Sequence, residues 1–290
     1  MYIRVFAPAK INLALEILGV LENGYHEVDM VMQSIDLCDE IIIEDISNNE
    51  LIVECNKDLS CKPENNLAYK AAKKFFDYTG LKDIGVKINI LKNIPQRAGL
   101  AGGSTDAAAV LYALNSFFKA KVSEHELSKL GCKIGSDVPF CLKGGCLHAT
   151  GTGTNLYPIP SLKNCFLVVV KPKISICTKK AYTLYDSYKS LKLKSTENLI
   201  KCLKSQNLHG VSKNIFNRFE EVLNNTEILN IKKSLCSNGA LGSCMSGSGS
   251  AVFGIFEDKN KAIECIKKLK KIYSQIFLCK PLDHGIYFSD

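Results

Sequence analysis

The chain has 290 residues, 46% apolar and 23% charged, which fits one large or two ordinary globular domains and excludes a disordered or fibrous chain. The net charge is +8, yet only Arg4, Arg97 and Arg218 among 37 basic residues are arginine; readers of nucleic acid favour the arginine fork, so no nucleic-acid partner is expected. No apolar run approaches the roughly 20 residues of a membrane span, and Arg4, Pro8 and Lys10 break the N-terminal apolar stretch, so neither a membrane partner nor a signal peptide is expected.

Residues 1–55 read mostly as strands. Leu13–Leu18 carries alternating and branched apolar side chains, Ile41–Asp45 is an isoleucine run, and Leu51–Cys55 follows turn chemistry at Asn48–Asn49. A stripe of Leu67, Ala71, Phe75 and Phe76 predicts a helix over 66–79, stopped by Gly80. Val86–Ile90 alternates as a strand, and Pro95 to Gly103 is a glycine-bearing loop. Ser104–Phe118 predicts a helix, rich in Ala and Leu after a Ser-Thr-Asp start. A short helix over Glu124–Leu130, a strand over Cys146–Thr150 and a turn over 151–154 follow. Pro158 and Pro160 mark the expected break between a domain of residues 1–157 and one of 158–290.

Beyond that break, Phe166–Val170 is a buried-type strand, helical patterns run between Lys179 and Leu235, and Ser250–Phe256 is a strand. Asp258–Tyr273 reads as an amphipathic helix with Ala262, Ile263, Ile266, Leu269 and Ile272 inward and Lys267, Lys268, Lys270 and Lys271 outward on a solvated face. Ile276–Cys279 and Gly285–Phe288 are the last strands. Strands and helices mix in both halves, which predicts α+β rather than a doubly wound sheet. The 13 cysteines are odd in number and lack any C-x-x-C spacing, so neither a disulfide framework nor a zinc ribbon is expected. Cys141, Cys165 and Cys265 sit among apolar neighbours as small hydrophobes, in a reduced, cytoplasmic protein.

Five stretches carry chemistry. Pro95-Gln-Arg-Ala-Gly-Leu-Ala-Gly-Gly-Ser104-Thr105-Asp106 runs straight into a helix. A helix start offers unpaired N–H groups and partial positive charge, and Gly102 and Gly103 allow close backbone approach, so phosphate binding is favoured over a plain capped turn. The loop is neither a Walker A nor a dinucleotide fingerprint, because no Gly-Lys-Ser/Thr and no G-x-G-x-x-G occur. Met245-Ser-Gly247-Ser248-Gly249-Ser250 reads equally as a flexible turn, and gains meaning only beside the first loop. In Ala7-Pro-Ala-Lys10-Ile-Asn12-Leu13 the Lys and Asn share one face of an extended segment; either that face has partners or the ammonium reaches water. Gly135-Ser-Asp137-Val-Pro139 holds a carboxylate that reads as a turn residue or as a base for an attacking hydroxyl. Asn23-Gly-Tyr25-His26 is a turn whose aromatic and imidazole could face a base.

Together these stretches resemble the GHMP small-molecule kinases, over nearly the whole chain. The early Lys-x-Asn with Gly-Tyr-His resembles members whose acceptor carries a cytidine diphosphate group. The resemblance implies a two-domain α+β fold, with an N-terminal half like the second domain of ribosomal protein S5 and a ferredoxin-like C-terminal half. It implies direct transfer of the γ-phosphoryl of ATP to a hydroxyl, with Mg²⁺ offsetting phosphate charge, in a monomer or weak homodimer. Asp137 would be the general base and Lys10 would keep it ionised. Pro95, Gly99, Leu100, Ala101, Gly102, Gly103, Ser104 and Thr105 would hold ATP phosphates, and Asn66 would sit near adenine. Tyr25 and Tyr182 would sandwich the cytosine, His26 would read its edge, and Asn12 and Thr178 would touch the substrate. Gly247, Ser248 and Gly249 would lie near the site. Arg97, Ala98 and Ala101 stand where the family often has Gly, Tyr182 where Phe is common, and Lys179 where an apolar residue or Pro is frequent. No metal ligand is assigned. A homoserine or mevalonate kinase, and an RNA-binding module built on the S5-like half, are the competing readings.

Overall fold

The computed structural model describes residues 1–58, 62–188 and 192–288. Part of the expected helical region, residues 189–191, lies outside them. In chain order the strands and helices are β1 (Tyr2–Val20), β2 (His26–Ile46), β3 (Leu51–Cys55), α1 (Leu67–Thr79), β4 (Gly85–Leu91), α2 (Gly102–Phe117), α3 (Glu124–Cys132), α4 (Val138–Lys143), β5 (Cys146–Gly151) and β6 (Asn155–Ile159). They continue with β7 (Phe166–Lys171), α5 (Thr178–Asp186), α6 (Glu197–Lys204), α7 (Leu208–Asn214), β8 (Phe216–Asn217), α8 (Arg218–Leu223), α9 (Thr226–Ser237) and β9 (Gly242–Met245). The last are β10 (Val252–Phe256), α10 (Lys259–Leu269), β11 (Gln275–Cys279) and β12 (Tyr287–Phe288).

Two sheets carry the fold. The larger has the order β12-β1-β2-β4-β3, with β5 also on β2, β6 on β5, and β8 on β1. The smaller is antiparallel, in the order β11-β7-β10-β9, with α9 and α10 packed on it. The expected α+β class holds, and Cys141, Cys165 and Cys265 are buried free thiols in the core.

The first strand is far longer than the expected Leu13–Leu18, and its registry with β2 shifts between Pro8 and Ala9 and again between Asn12 and Ala14. Proline lacks an N–H for the ladder and is tolerated at such an irregularity. The outer edge of β1 is covered by β12 at Val5–Phe6 and by β8 at Ala14–Leu15. Between those two short strands the edge is open, and its amides turn toward the glycine loops. The N–H of Lys10 donates to Leu100 O at 3.1 Å and that of Asn12 to Ser246 Oγ at 3.2 Å.

The expected break at Pro158–Pro160 falls on β6, where Pro158 faces Leu147 of β5. Two segments from beyond it, β8 and β12, rejoin the larger sheet. The expected helix over Asp258–Tyr273 stops at Leu269, so Ile272, read as inward, is 71% exposed; Ala262 and Leu269 are buried as expected.

Candidate active site

A cleft of about 880 Å³ lies where the glycine loops meet β1, toward the upper end of the roughly 300–1,000 Å³ usual for ligand pockets. Its floor is the start of α2. That helix begins at Ala101 without any side-chain cap, which leaves the amides of Gly102, Gly103 and Ser104 free of helical partners. Gly103 is open: a Cβ there would meet only Leu67 Cδ1, at 3.6 Å. Gly99 is the opposite case, with φ +76 and a Cβ position 2.0 Å from Ser246 O. The first glycine loop therefore lies flat against the second. Ser246 Oγ donates to Gly99 O at 2.8 Å, and the Ala251 N–H to Ala98 O at 3.0 Å. Asn217 holds the second loop from behind, its Nδ2 donating to Met245 O and Gly247 O at 2.7 Å each.

Lys10 is buried on this wall. Its Nζ donates to Asn12 Oδ1 at 2.6 Å and lies 3.5 Å from Asp137 Oδ2. The ammonium thus has partners, and all but about 5% of the Lys10 side chain is buried. Asp137 stands at the N-cap position of α4, yet its carboxylate makes no cap bond and stays free for Lys10 and for the cleft.

Of the residues singled out in the sequence, Lys10, Asn12, Asp137, Thr178 and Tyr182 line the cleft. So do Asn66, Pro95, the run Gly99–Ser104, Ser248 and Gly249. Gly247 packs beside Gly99 and Asn12, and Ser248 Oγ is 2.7 Å from Thr178 Oγ1. Asn66 also caps α1, its Oδ1 accepting from the Ala68 N–H at 2.9 Å. Thr105 is fully buried, its amide is used by Ala101 O, and it is not part of the cleft wall. Tyr25 is 66% exposed at the tip of its turn and is not part of the cleft wall. The ring that lies on Tyr182 is His26, with centroids 4.3 Å apart. Burial, with Asp137 adding its negative field, pushes the Tyr182 phenol up to about 12.

One charged group was missed. Lys92 Nζ sits between the carboxylates of Asp39 and Asp106, 2.8 Å from Asp106 Oδ2. All three are buried, and Lys92 and Asp106 line the cleft. The signal was present: the inward residues of β4 are Val86, Ile88 and Ile90, and the same alternation places Lys92 inward. Burial alone pulls the Lys92 ammonium down, but Asp106 and Asp39 outweigh it and hold it above the usual range. Burial pushes the Asp106 carboxyl up, with Lys92 opposing and Asp39 adding. Lys92 satisfies Oδ2 of Asp106, but Asp106 Oδ1 has no hydrogen-bond partner, so that one oxygen is left to accept a donor or face a cation.

The sequence pattern of the GHMP kinases N terminal domain matches residues 66–145, and that of the GHMP kinases C terminal domain matches 197–275. The chain is 44% identical over 279 residues to the 4-diphosphocytidyl-2-C-methyl-D-erythritol kinase of Clostridium novyi, covering 95% of this chain and 99% of that one. It is 43% identical over 282 residues to the enzyme of that name from Clostridium perfringens, covering 96% and 97%. Among solved structures, a 4-(cytidine 5'-diphospho)-2C-methyl-D-erythritol kinase superposes with a TM-score of 0.81 at 30% identity, over 97% of this chain and all of that one. A homoserine kinase from Cytophaga hutchinsonii reaches the same TM-score at 18% identity, over 99% and 97%. The fold alone does not separate those two activities.

Proposed function

The chain belongs to the GHMP kinases, and within them to the 4-diphosphocytidyl-2-C-methyl-D-erythritol kinases; from that premise we propose that it phosphorylates the 2-hydroxyl of 4-diphosphocytidyl-2-C-methyl-D-erythritol with ATP, in non-mevalonate isoprenoid precursor synthesis. The observation that carries the reading is the Lys10–Asp137 pair on the wall of the glycine cradle.

The ATP phosphates lie on the free amides of Gly102–Ser104, where the start of α2 contributes partial positive charge. Asp137 accepts the proton of the acceptor hydroxyl as that oxygen bonds to the γ-phosphorus. The bond from the γ-phosphorus to the bridging oxygen breaks, and ADP leaves. Lys10 holds Asp137 by its charge and steadies Asn12. Asn66 borders the adenine side, and Thr178, Tyr182 and His26 form the cytidine side. Residues 1–157 supply most of the phosphate cradle, and 158–290 supply the second glycine loop and α5.

Magnesium fits this wall. No cluster of three or more His, Cys, Asp or Glu among the described residues could hold a metal by itself, but magnesium is commonly held by one carboxylate plus substrate phosphates. The Oδ1 of Asp106, which has no partner, and the Ser104 hydroxyl would be the protein's share of such a site. There the ion would offset phosphate charge. The twelve described cysteines are all free thiols, which suits the reducing cytoplasm.

A panel of the cytidylated methylerythritol, homoserine, mevalonate and a hexose, read by ADP release, tests the assignment. Release is expected with the first alone, and preference for any other would overturn it. Release that persists in excess chelator would remove magnesium.

A further inference from the structure

His26 is held by one face of α5. Its ring stacks on Tyr182 at 4.3 Å and 29°, meets Tyr185 edge-on at 6.1 Å and 77°, and places Nε2 2.7 Å from Asp186 Oδ1. Tyr182, Tyr185 and Asp186 are spaced i, i+3 and i+4, so they share that face. Tyr185 pins the face to β1, its hydroxyl donating to Ile17 O at 2.8 Å. Tyr182 therefore sets the plane of the imidazole and Asp186 sets its rotation about that plane.

The carboxylate of Asp186 can only accept. The Nε2 facing it must carry the ring proton, which leaves Nδ1 of the neutral ring as an acceptor. An acceptor at that position pairs with an exocyclic amine. It repels a carbonyl oxygen, whose lone pairs would face its own without a donor between them. Cytosine and uracil differ in this respect at their 4-position.

We infer that Asp186 is a positioning residue that fixes the His26 tautomer and so selects a cytosine-bearing over a uracil-bearing acceptor. This rests on His26 reading the base edge of the substrate. Asp186 touches no reacting atom, and its effect falls on substrate recognition rather than on phosphoryl transfer.

The test compares the cytidine form of the substrate with its uridine analogue in wild type, Asp186→Ala, Asp186→Glu and His26→Ala, together with ¹⁵N shifts of the His26 imidazole. In the wild type the Nε2-protonated ring is expected. Asp186→Ala should raise the cytidine KM about tenfold, leave kcat within about twofold, and cut the cytidine-to-uridine ratio of kcat/KM at least about tenfold, with Asp186→Glu restoring most of it. A wild-type ring protonated on Nδ1, or a ratio unchanged in Asp186→Ala but lost in His26→Ala, would overturn the role of Asp186 alone. An unchanged ratio in His26→Ala as well would overturn the base-reading assignment beneath it.

Discussion

Two small residues of the phosphate loop show how little freedom single positions have. Gly99 has φ +76 and its Cβ position lies 2.0 Å from Ser246 O, a backbone atom that cannot swing aside. Ala101 also has a left-handed backbone, at φ +59, with a side chain that disfavours it; such a conformation costs an L-residue roughly 1–2 kcal/mol. The sequence showed Ala101 as a departure from glycine but not which of the loop residues carried positive φ. Gly99→Ala should separate the two glycine loops and lower kcat/KM for ATP at least about tenfold, with a lower Tm. Ala101→Gly should keep the activity and hold or raise Tm, because the strain removed and the unfolded-state entropy added are of similar size. Kinetics and thermal melts on both variants check this; equal damage from both would contradict it.

Elements were legible where burial is one-sided and obscure where they depend on distant partners. The repeats in α1, α2 and β4 gave their place within a few residues. The strands β8 and β12 are two residues each and exist because the open edge of β1 accepts them, which no local pattern records. The link between β1 and α8 was equally hidden. Glu16 of β1 is fully buried and takes Arg218 of α8 through Nε at 2.7 Å and Nη2 at 2.5 Å. The same carboxylate accepts the Lys194 N–H at 2.7 Å. Arg218→Met would leave a buried carboxylate without its cation, at a cost of about 3–5 kcal/mol. Denaturant unfolding should show a loss of that order, and adding Glu16→Leu to the variant should recover part of it. A loss below about 1 kcal/mol would show that the pair is not desolvated as described.

At the scale of the whole molecule, composition gave the class and the motifs gave the site, but neither gave the way the chain closes on itself. The break at Pro158–Pro160 separates the sequence more cleanly than it separates the structure, since β8, β12 and the loop at Gly247–Gly249 all return to β1. Residues 1–157 produced alone should therefore lack a cooperative thermal transition, because both partners on the outer edge of β1 are missing; a sharp melt from that fragment would contradict this. The net charge of +8 proved less informative than two lysines: Lys10 and Lys92 are buried at the cleft, the first beside one carboxylate and the second between two. The assigned phosphoryl transfer stands or falls on Asp137. Single-turnover phosphorylation of the cytidylated methylerythritol by Asp137→Asn, measured beside ATP affinity for the same variant, tests it most directly. A rate at least about 10²-fold below wild type with ATP affinity kept within a few-fold is the predicted result. A rate near that of the wild type would contradict it.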